Sequence, residues 1–84
     1  MVYFVYILQS EKDGSYYIGH TEDLEDRLNR HNQGRSSYTK PRAPWRLIYQ
    51  EEFHSRSEAM GREREIKSHK NREYIEYLVR ASRV

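Results

Sequence analysis

The chain has 84 residues, which is enough for one domain with a thin hydrophobic core. Its composition is 36% hydrophobic and 33% charged, and eight tyrosines supply much of the apolar bulk. The absence of cysteine excludes a disulfide framework and a thiolate metal site. The net charge is only +2, but residues 35–72 carry ten basic and five acidic side chains, an excess that either binds phosphate or simply solvates the surface.

The N-terminal sequence bears on targeting. The apolar run from Val2 to Leu8 has neither the basic start nor the cleavage site of a signal peptide, and no segment approaches the length of a membrane span. No repeat, low-complexity tract or linker interrupts the chain. We therefore expect residues 1–84 to form a single cytoplasmic domain that does not contact a membrane.

The first part of the chain predicts a β-hairpin. Val2 to Leu8 is apolar on both alternating faces, which is typical of a central strand that is covered on both sides. The turn signal Asp13-Gly14 follows, and Tyr16 to His20 has the pattern of a second strand. The two strands therefore pair through a loop of several residues.

A helix, a loop and a third strand are predicted next. Thr21 or Asp23 can cap a helix that runs to about Asn32 and is closed by Gly34. The following residues, 35–44, contain two prolines and two serines, so we expect a loop. The alternation from Trp45 to Phe53 predicts a third strand.

Two helices complete the predicted order ββαβαα. Ser55 and Glu58 form a capping box before a helix from about Arg56 to Lys70. Asn71 then breaks and recaps the chain, and a last helix carries the apolar residues Ile75, Leu78 and Val79.

Two tyrosines on the predicted hairpin form the first candidate site. Tyr6 lies in the sequence Phe4-Val5-Tyr6, and Tyr17 begins the sequence Tyr17-Ile18-Gly19. Because the strands lie side by side, both phenols can face one site and exchange protons with a water molecule near a phosphate. The alternative is that both tyrosines are core residues at strand spacing.

Arg27 and His31 add a second signal. They are four residues apart, so they share one face of the first helix, and Arg27 lies at its apolar edge. A guanidinium group in such a position can clamp a phosphate and stabilise developing negative charge. The alternative is an ordinary surface arginine.

Glu63 is the third signal, because it lies on the face of its helix that should pack inward. A buried carboxylate is costly unless it is paired or bound to a divalent ion such as Mg²⁺. The alternative is a salt bridge to Arg62, Lys67 or a residue of the sheet. The four histidines do not have the spacing of a zinc site.

In combination, these residues resemble the GIY-YIG nuclease superfamily. The likeness is closest to its small single-domain bacterial branch, which is similar to the N-terminal nuclease domain of the bacterial excinuclease ABC. Tyr6 matches the tyrosine of the first motif, and Tyr17-Ile18-Gly19 matches the second motif, with Gly19 as its glycine. Arg27 and His31 match the arginine and histidine of the next helix, and Glu63 matches the metal-binding glutamate. The resemblance covers residues 1 to about 78.

The chain also departs from the family pattern. The first motif lacks its glycine and isoleucine but keeps the tyrosine of Phe4-Val5-Tyr6. His20 stands where some members have a lysine, which makes it a candidate for phosphate binding or proton handling. Asn71 resembles a late asparagine of some homing enzymes, but we favour its capping role. We expect no separate DNA-binding domain, so a partner protein could supply targeting.

The resemblance implies a fold and an activity. The fold is of the α/β (α+β) class, with a small three-stranded antiparallel sheet flanked by helices. The activity is metal-dependent hydrolysis of DNA phosphodiester bonds, in repair or in the processing of branched or damaged DNA.

The resemblance also implies a role for each site residue. Tyr6 or Tyr17 orients the water, Arg27 stabilises charge, His31 assists proton transfer, and Glu63 holds one Mg²⁺ or Mn²⁺ ion. Which tyrosine acts as base stays open. An ordinary tyrosine has a pKa of about 10, so Arg27 or the metal would have to lower it for base work near neutral pH.

Further candidate nucleic-acid contacts lie in the 35–46 loop and near the end of the long helix. Cations can meet phosphates there, and aromatic rings can stack on bases. The alternatives are a mobile loop with Trp45 in the core, which we favour for Trp45, and a solvated helix end. The candidates are Arg35, Tyr38, Lys40, Arg42, Lys67, Lys70 and Arg72.

Three functions compete. The first is an endonuclease, the second a nuclease subunit that is active only with a partner protein, and the third a non-catalytic nucleic-acid-binding module. The nuclease hypothesis requires Tyr6, Tyr17, Arg27 and Glu63 to converge in one groove. We expect Glu63 on the same side of the sheet as the tyrosines, because a position on the opposite side would leave no such groove.

Overall fold

The computed structural model describes residues 1–69 and 71–82. Its elements follow the predicted order, with a short 3₁₀ helix inserted before the third strand. They are β1 (Tyr3–Ser10), β2 (Tyr16–Thr21), α1 (Leu24–Asn32), the 3₁₀ helix (Lys40–Arg42), β3 (Trp45–Phe53), α2 (Arg56–His69) and α3 (Arg72–Ala81). No helix among the described residues is long and apolar enough to cross a membrane.

The three strands form one antiparallel sheet in the order β2-β1-β3. The central position of β1 confirms the prediction from its two apolar faces. Val5 and Ile7 are fully buried on one face, and Tyr6 and Leu8 are almost fully buried on the other. Because side chains alternate along a strand, these two pairs belong to two separate layers of core.

Each layer of core has its own helices. The face of Val5 and Ile7, here called the α2 face, packs against four buried residues of α2 and α3: Ala59, Ile66, Ile75 and Leu78. The face of Tyr6 and Leu8, here called the α1 face, packs against Trp45 and against Leu24 and Leu28 of α1. The sheet is therefore a partition between two thin cores.

Local hydrogen bonds set the helix starts as the sequence predicts. Asp23 caps α1 by accepting from the amide of Asp26, and Ser55 accepts from the amide of Glu58 before α2. Asn71 caps α3 by accepting from the amide of Tyr74. This capping role is the one that we favoured for Asn71.

The loop after α1 is anchored at its end. Trp45 is 3% exposed, which confirms its favoured place in the core, and its indole N–H donates to the carbonyl of Thr39 over 2.9 Å. The Asn32 side chain bonds both the amide and the carbonyl of Trp45. Ser10 donates to the carbonyl of Arg42 over 2.6 Å. These bonds tie the loop to α1 and to the end of β1.

An ion pair joins β3 to α2. The Arg62 guanidinium donates two hydrogen bonds of 2.9 Å to the carboxylate of Glu51, and both side chains are about one-fifth exposed. The hydroxyl of Tyr49 donates to the same carboxylate, and Arg62 also donates to Tyr74 of α3. Burial and the bond to Glu51 raise the pKa of Tyr49 to about 12.

Acid should weaken this part of the fold. Burial alone would raise the pKa of Glu51, but the hydrogen bonds from Arg62 and Tyr49 outweigh it and hold that pKa below its usual value. A carboxyl of this kind stabilises the fold above its unfolded-state pKa of about 4.3, and the contribution is lost as the pH falls towards the folded-state pKa. We expect Glu51→Gln to lower the free energy of unfolding by about 2 kcal/mol at pH 7 and to flatten its decline in acid.

Urea unfolding between pH 3 and pH 8 measures both effects. Glu73→Gln, at an exposed position in the first turn of α3, serves as the matched control and should keep the acid decline. An equal decline in Glu51→Gln and in the control would contradict the assignment.

Candidate functional site

Tyr6, His31 and Thr39 form a buried chain of polar groups on the α1 face. β1 directs the ring of Tyr6 towards α1, where its hydroxyl lies 3.3 Å from Nε2 of His31. Nδ1 of His31 lies 2.9 Å from the hydroxyl of Thr39. All three side chains are buried. The chain therefore links the central strand, the end of α1 and the following loop.

Tyr17 packs beside this chain. Its ring centre lies 4.7 Å from that of His31 and 6.3 Å from that of Tyr6. Tyr17 is only half-buried, and it lines two cavities, whereas Tyr6 is 2% exposed. The structure therefore brings both tyrosines and the histidine together, with Tyr17 as the phenol next to open space.

Gly19 permits the position of Tyr6. It lies opposite Tyr6 in the pairing of β1 with β2. A Cβ atom at Gly19 would lie 2.6 Å from the hydroxyl oxygen of Tyr6 and 2.8 Å from its ring. Because no real Cβ tolerates such a contact, the glycine of the second motif lets the phenol extend across the outer strand.

Arg27 lies one turn before His31 on α1. Its Nε atom is buried and has no hydrogen-bond partner within the described part of the chain. The side chain lines a cavity of about 380 Å³ together with Tyr17, His31 and Arg35. A buried guanidinium nitrogen without a partner is costly, and an anion in the cavity would satisfy it.

Burial and charge set the protonation of the chain. Burial raises the pKa of Tyr6 far above its ordinary value; Tyr17 and Glu63 add to this and Arg27 offsets part of it. Burial, followed by the charge of Arg27, lowers the pKa of His31. Tyr6 is therefore a neutral phenol and His31 a neutral imidazole near pH 7. The expectation that Arg27 lowers the pKa of a site tyrosine holds for its direction at Tyr6, but burial outweighs it.

Glu63 is paired within the protein. One carboxylate oxygen lies 2.6 Å from Nδ1 of His20 and the other 2.7 Å from Nζ of Lys67. Burial would raise the pKa of Glu63, but the hydrogen bonds from Lys67 and His20 outweigh it, so the pKa is lowered. Glu63 is therefore an ionised, inward-facing carboxylate with cationic or polar partners. The alternative of a salt bridge is present with Lys67, while Arg62 pairs with Glu51 instead.

The expectation that Glu63 and the tyrosines share one side of the sheet is wrong. Glu63 lies between Ala59 and Ile66, which pack on the α2 face. Its partner His20 is paired with Val5 in the sheet and belongs to the same face. Tyr6 and Tyr17 belong to the α1 face. The cause is the central strand, which needs helices on both faces, so that α1 and α2 cannot cover the same one.

The two faces nevertheless meet at the outer edge of β2. A cavity of about 230 Å³ at this edge is lined by Tyr17 and Tyr38 from the α1 face and by Lys67 from the α2 face. A second cavity, of about 400 Å³, is lined by Arg27 from the α1 face and His20 from the α2 face. The expected groove thus runs around an edge of the sheet, here called the edge groove, instead of lying on one face.

The remaining candidate contacts fall into three groups. Arg35 lines the cavity of Tyr17, and Tyr38 is half-exposed with the guanidinium of Arg42 4.7 Å from its ring centre. Arg72 lies on the α2 face, 5.2 Å from the ring centre of Tyr16 and away from the tyrosine pair. Lys40 is exposed at the start of the 3₁₀ helix, Lys67 holds Glu63, and Lys70 lies outside the described residues.

Two structural residues of the site were not predicted. Thr39 holds His31, and Asn32 fixes the start of β3. A polar residue in a loop rich in serine and basic side chains carries no periodic signal, so neither contact could be read from spacing. The pair of His20 with Glu63 was also not predicted, although both residues were candidates.

Comparison with known proteins is consistent with this arrangement. The family described as GIY-YIG catalytic domain matches residues 2–76. A UPF0213 protein of Staphylococcus saprophyticus is 48% identical over 67 residues, which cover 79% of this chain and 80% of that relative. A UPF0213 protein of Staphylococcus aureus is 46% identical over 68 residues, which cover 80% of this chain and 82% of that relative.

A solved structure has the same fold. The solution NMR structure of the UPF0213 protein BH0048 from Bacillus halodurans matches with a TM-score of 0.60 and 41% sequence identity. The match covers 96% of this chain and 85% of that chain.

Gly19→Ala tests the close approach of Tyr6 to β2. The new methyl group would displace the phenol, and we expect the free energy of unfolding to fall by about 2 kcal/mol. Gly61→Ala is the matched control, because nothing lies within 4 Å of a Cβ there and the position is inside α2. We expect the control to gain about 0.5–1 kcal/mol. Chemical unfolding measures both, and equal changes in the two variants would rule out the contact.

Proposed function

Because the chain belongs to the GIY-YIG family, we propose that residues 1–84 form one nuclease domain that hydrolyses DNA phosphodiester bonds with the help of a divalent metal ion. The family implies a nuclease and nucleic-acid binding. The observation that carries the finer proposal is the buried Nε of Arg27, which lacks a partner within the described residues and lies beside a cavity shared with Tyr17 and His31. This nitrogen is best satisfied by an oxygen of the scissile phosphate.

Each residue of the site has a separate task in the proposed reaction. Arg27 binds the non-bridging oxygens and stabilises the charge that develops on them. Tyr17, which borders the cavity, positions the attacking water. His31 is the neutral group that accepts the proton, and Tyr6 connects it to the site. A phenol with a raised pKa is a poor base, which supports His31 as the final proton acceptor.

The metal proposal depends on Glu63. Within the described part of the chain, no group of three or more His, Cys, Asp or Glu side chains could hold a metal by itself. One ionised carboxylate nevertheless fits Mg²⁺ or Mn²⁺, because such an ion takes one or two protein carboxylates and completes its shell with water and phosphate oxygens. The positively charged Lys67 at this carboxylate supports a preference for a cation there. When bound, the ion supplies positive charge that stabilises the leaving oxygen.

The edge groove supports an extended backbone as the ligand. A strand of DNA that follows the edge of β2 would meet Arg27 from one face and the pair of His20 and Glu63 from the other. His20 is proposed as the residue that holds Glu63 in place and that can share a phosphate. Further proposed contacts lie in the loop next to the α1 side of this path: Arg35, Tyr38, Lys40 and Arg42.

The cellular setting is a wider proposal. Similarity to the nuclease domain of the excinuclease favours repair or the processing of branched or damaged DNA, in the cytoplasm. An alternative is a subunit that cleaves only when a partner protein delivers the substrate. It is favoured by the modest size of the charged surface around the edge groove. A non-catalytic binding module is the weaker alternative, because such a module does not need an oriented phenol and imidazole.

Cleavage of plasmid and branched DNA by the parent protein and three variants tests the roles of the site. We expect Tyr17→Phe to lower the rate about 10²-fold and Arg27→Ala about 10³-fold, because the first loses a proton-exchanging group and the second loses charge stabilisation. Tyr77→Phe, on an exposed position of α3, is the matched control and should cleave like the parent.

The same assay separates the alternatives. Full activity in Tyr17→Phe would contradict the assigned role of that phenol. Salt-dependent DNA binding without cleavage would favour the binding module. An inert chain that becomes active when a co-purifying protein is added would favour the partner-dependent subunit.

Metal dependence gives an independent test. We expect a chelator to abolish cleavage, Mg²⁺ or Mn²⁺ to restore it, and Glu63→Gln to remove at least about 10²-fold of the restored rate. Glu73→Gln, an exposed carboxylate of α3, controls for the loss of one negative charge. Undiminished cleavage by Glu63→Gln at low Mg²⁺ would exclude Glu63 as the ligand.

A further inference from the structure

We propose that Thr39 is a positioning residue that fixes the proton of His31 on Nδ1, so that Nε2 is free to accept the hydroxyl proton of Tyr6. The role of this arrangement in catalysis rests on the proposed nuclease function. The proton position itself does not, since it follows from the contacts of three buried side chains in the protein alone.

Counting protons supports this arrangement. The hydroxyl of Thr39 carries one proton and lies 3.4 Å from the carbonyl of Ser36 and 2.9 Å from Nδ1 of His31. If Thr39 donates to Ser36, Nδ1–H donates to the threonine oxygen, and Tyr6 donates to Nε2 over 3.3 Å. Three hydrogen bonds then form together, and every proton has an acceptor.

The opposite arrangement satisfies fewer groups. If Thr39 donates to Nδ1, its contact with Ser36 is lost and the proton of His31 sits on Nε2. Nε2–H must then donate to Tyr6, whose own proton finds no acceptor among the described side-chain contacts. An unsatisfied buried donor costs free energy, so this arrangement is disfavoured.

The backbone of Thr39 is held independently of its hydroxyl. The side chain is fully buried, and its carbonyl accepts from the indole of Trp45, the first residue of β3. The amide of Lys40 donates to the carbonyl of Ser36 over 2.9 Å, which closes a turn around Thr39. The hydroxyl therefore reaches His31 from a fixed point, as expected of a residue that orients another.

The arrangement gives the reaction a direction for its proton. As the water oxygen bonds to phosphorus and the bond to the leaving oxygen breaks, the water proton reaches the oxygen of Tyr6, directly or through Tyr17. The original hydroxyl proton of Tyr6 moves to Nε2 of His31. The resulting imidazolium keeps its Nδ1–H bond to Thr39, so the proton lost by water ends on His31.

Nitrogen NMR of the histidine rings tests the proton position without DNA. With ¹⁵N-labelled histidine, His31→Gln assigns the signals of His31 in the full chain. We expect a protonated-type Nδ1 and a pyridine-type Nε2 in the parent and in Thr39→Ser, which keeps the hydroxyl. In Thr39→Val, which keeps the shape but loses the hydroxyl, we expect the Nε2–H form to gain population.

Cleavage gives the second readout. We expect Thr39→Val to lose about 10²-fold in rate and Thr39→Ser to stay within about twofold of the parent. A parent protein with the proton on Nε2 would overturn the proposal, as would full activity in Thr39→Val. If Thr39→Val does not fold, the ring signals of the parent and of Thr39→Ser decide. If the ring signals agree but the parent cleaves no DNA, the proposed function fails and the role of Thr39 in holding His31 stands.

Discussion

The burial of β1 on both faces is the constraint on which the rest of the molecule depends. A central strand in so short a chain needs one helix layer over Val5 and Ile7 and another cover over Tyr6 and Leu8. Each layer also brings functional residues with it. The chemistry is consequently divided between two sides of a sheet that is only three strands wide, and it can be reunited only where the sheet ends.

The order of elements could be predicted because it depends on local and periodic signals. Alternation identified the strands, and side-chain caps at Asp23, Ser55 and Asn71 identified the helix starts. The face on which each helix packs has no such signal, since it depends on how the chain crosses the sheet. The placement of Glu63 failed for this reason, although its inward orientation on α2 was predicted correctly.

The candidate site could be predicted as a set of residues but not as a set of bonds. Family spacing identified Tyr6, Tyr17, Arg27 and His31, which the structure brings together. The contact of His31 with Thr39 and that of Glu63 with His20 join separate elements of the fold, at separations that no pattern specifies. Side chains that support a site are chosen by the folded geometry and are therefore the hardest to infer.

The position of β2 at the margin of the sheet has a consequence for assembly. Its outer side carries backbone groups that are unpaired within the sheet, and such a margin is a template for a strand from another molecule. Strand addition at this margin would cover Gly19 and close the passage between the two faces. Sheet extension through β2 and access of a long polyanion are therefore mutually exclusive, and self-association by that route would act as an inhibitor.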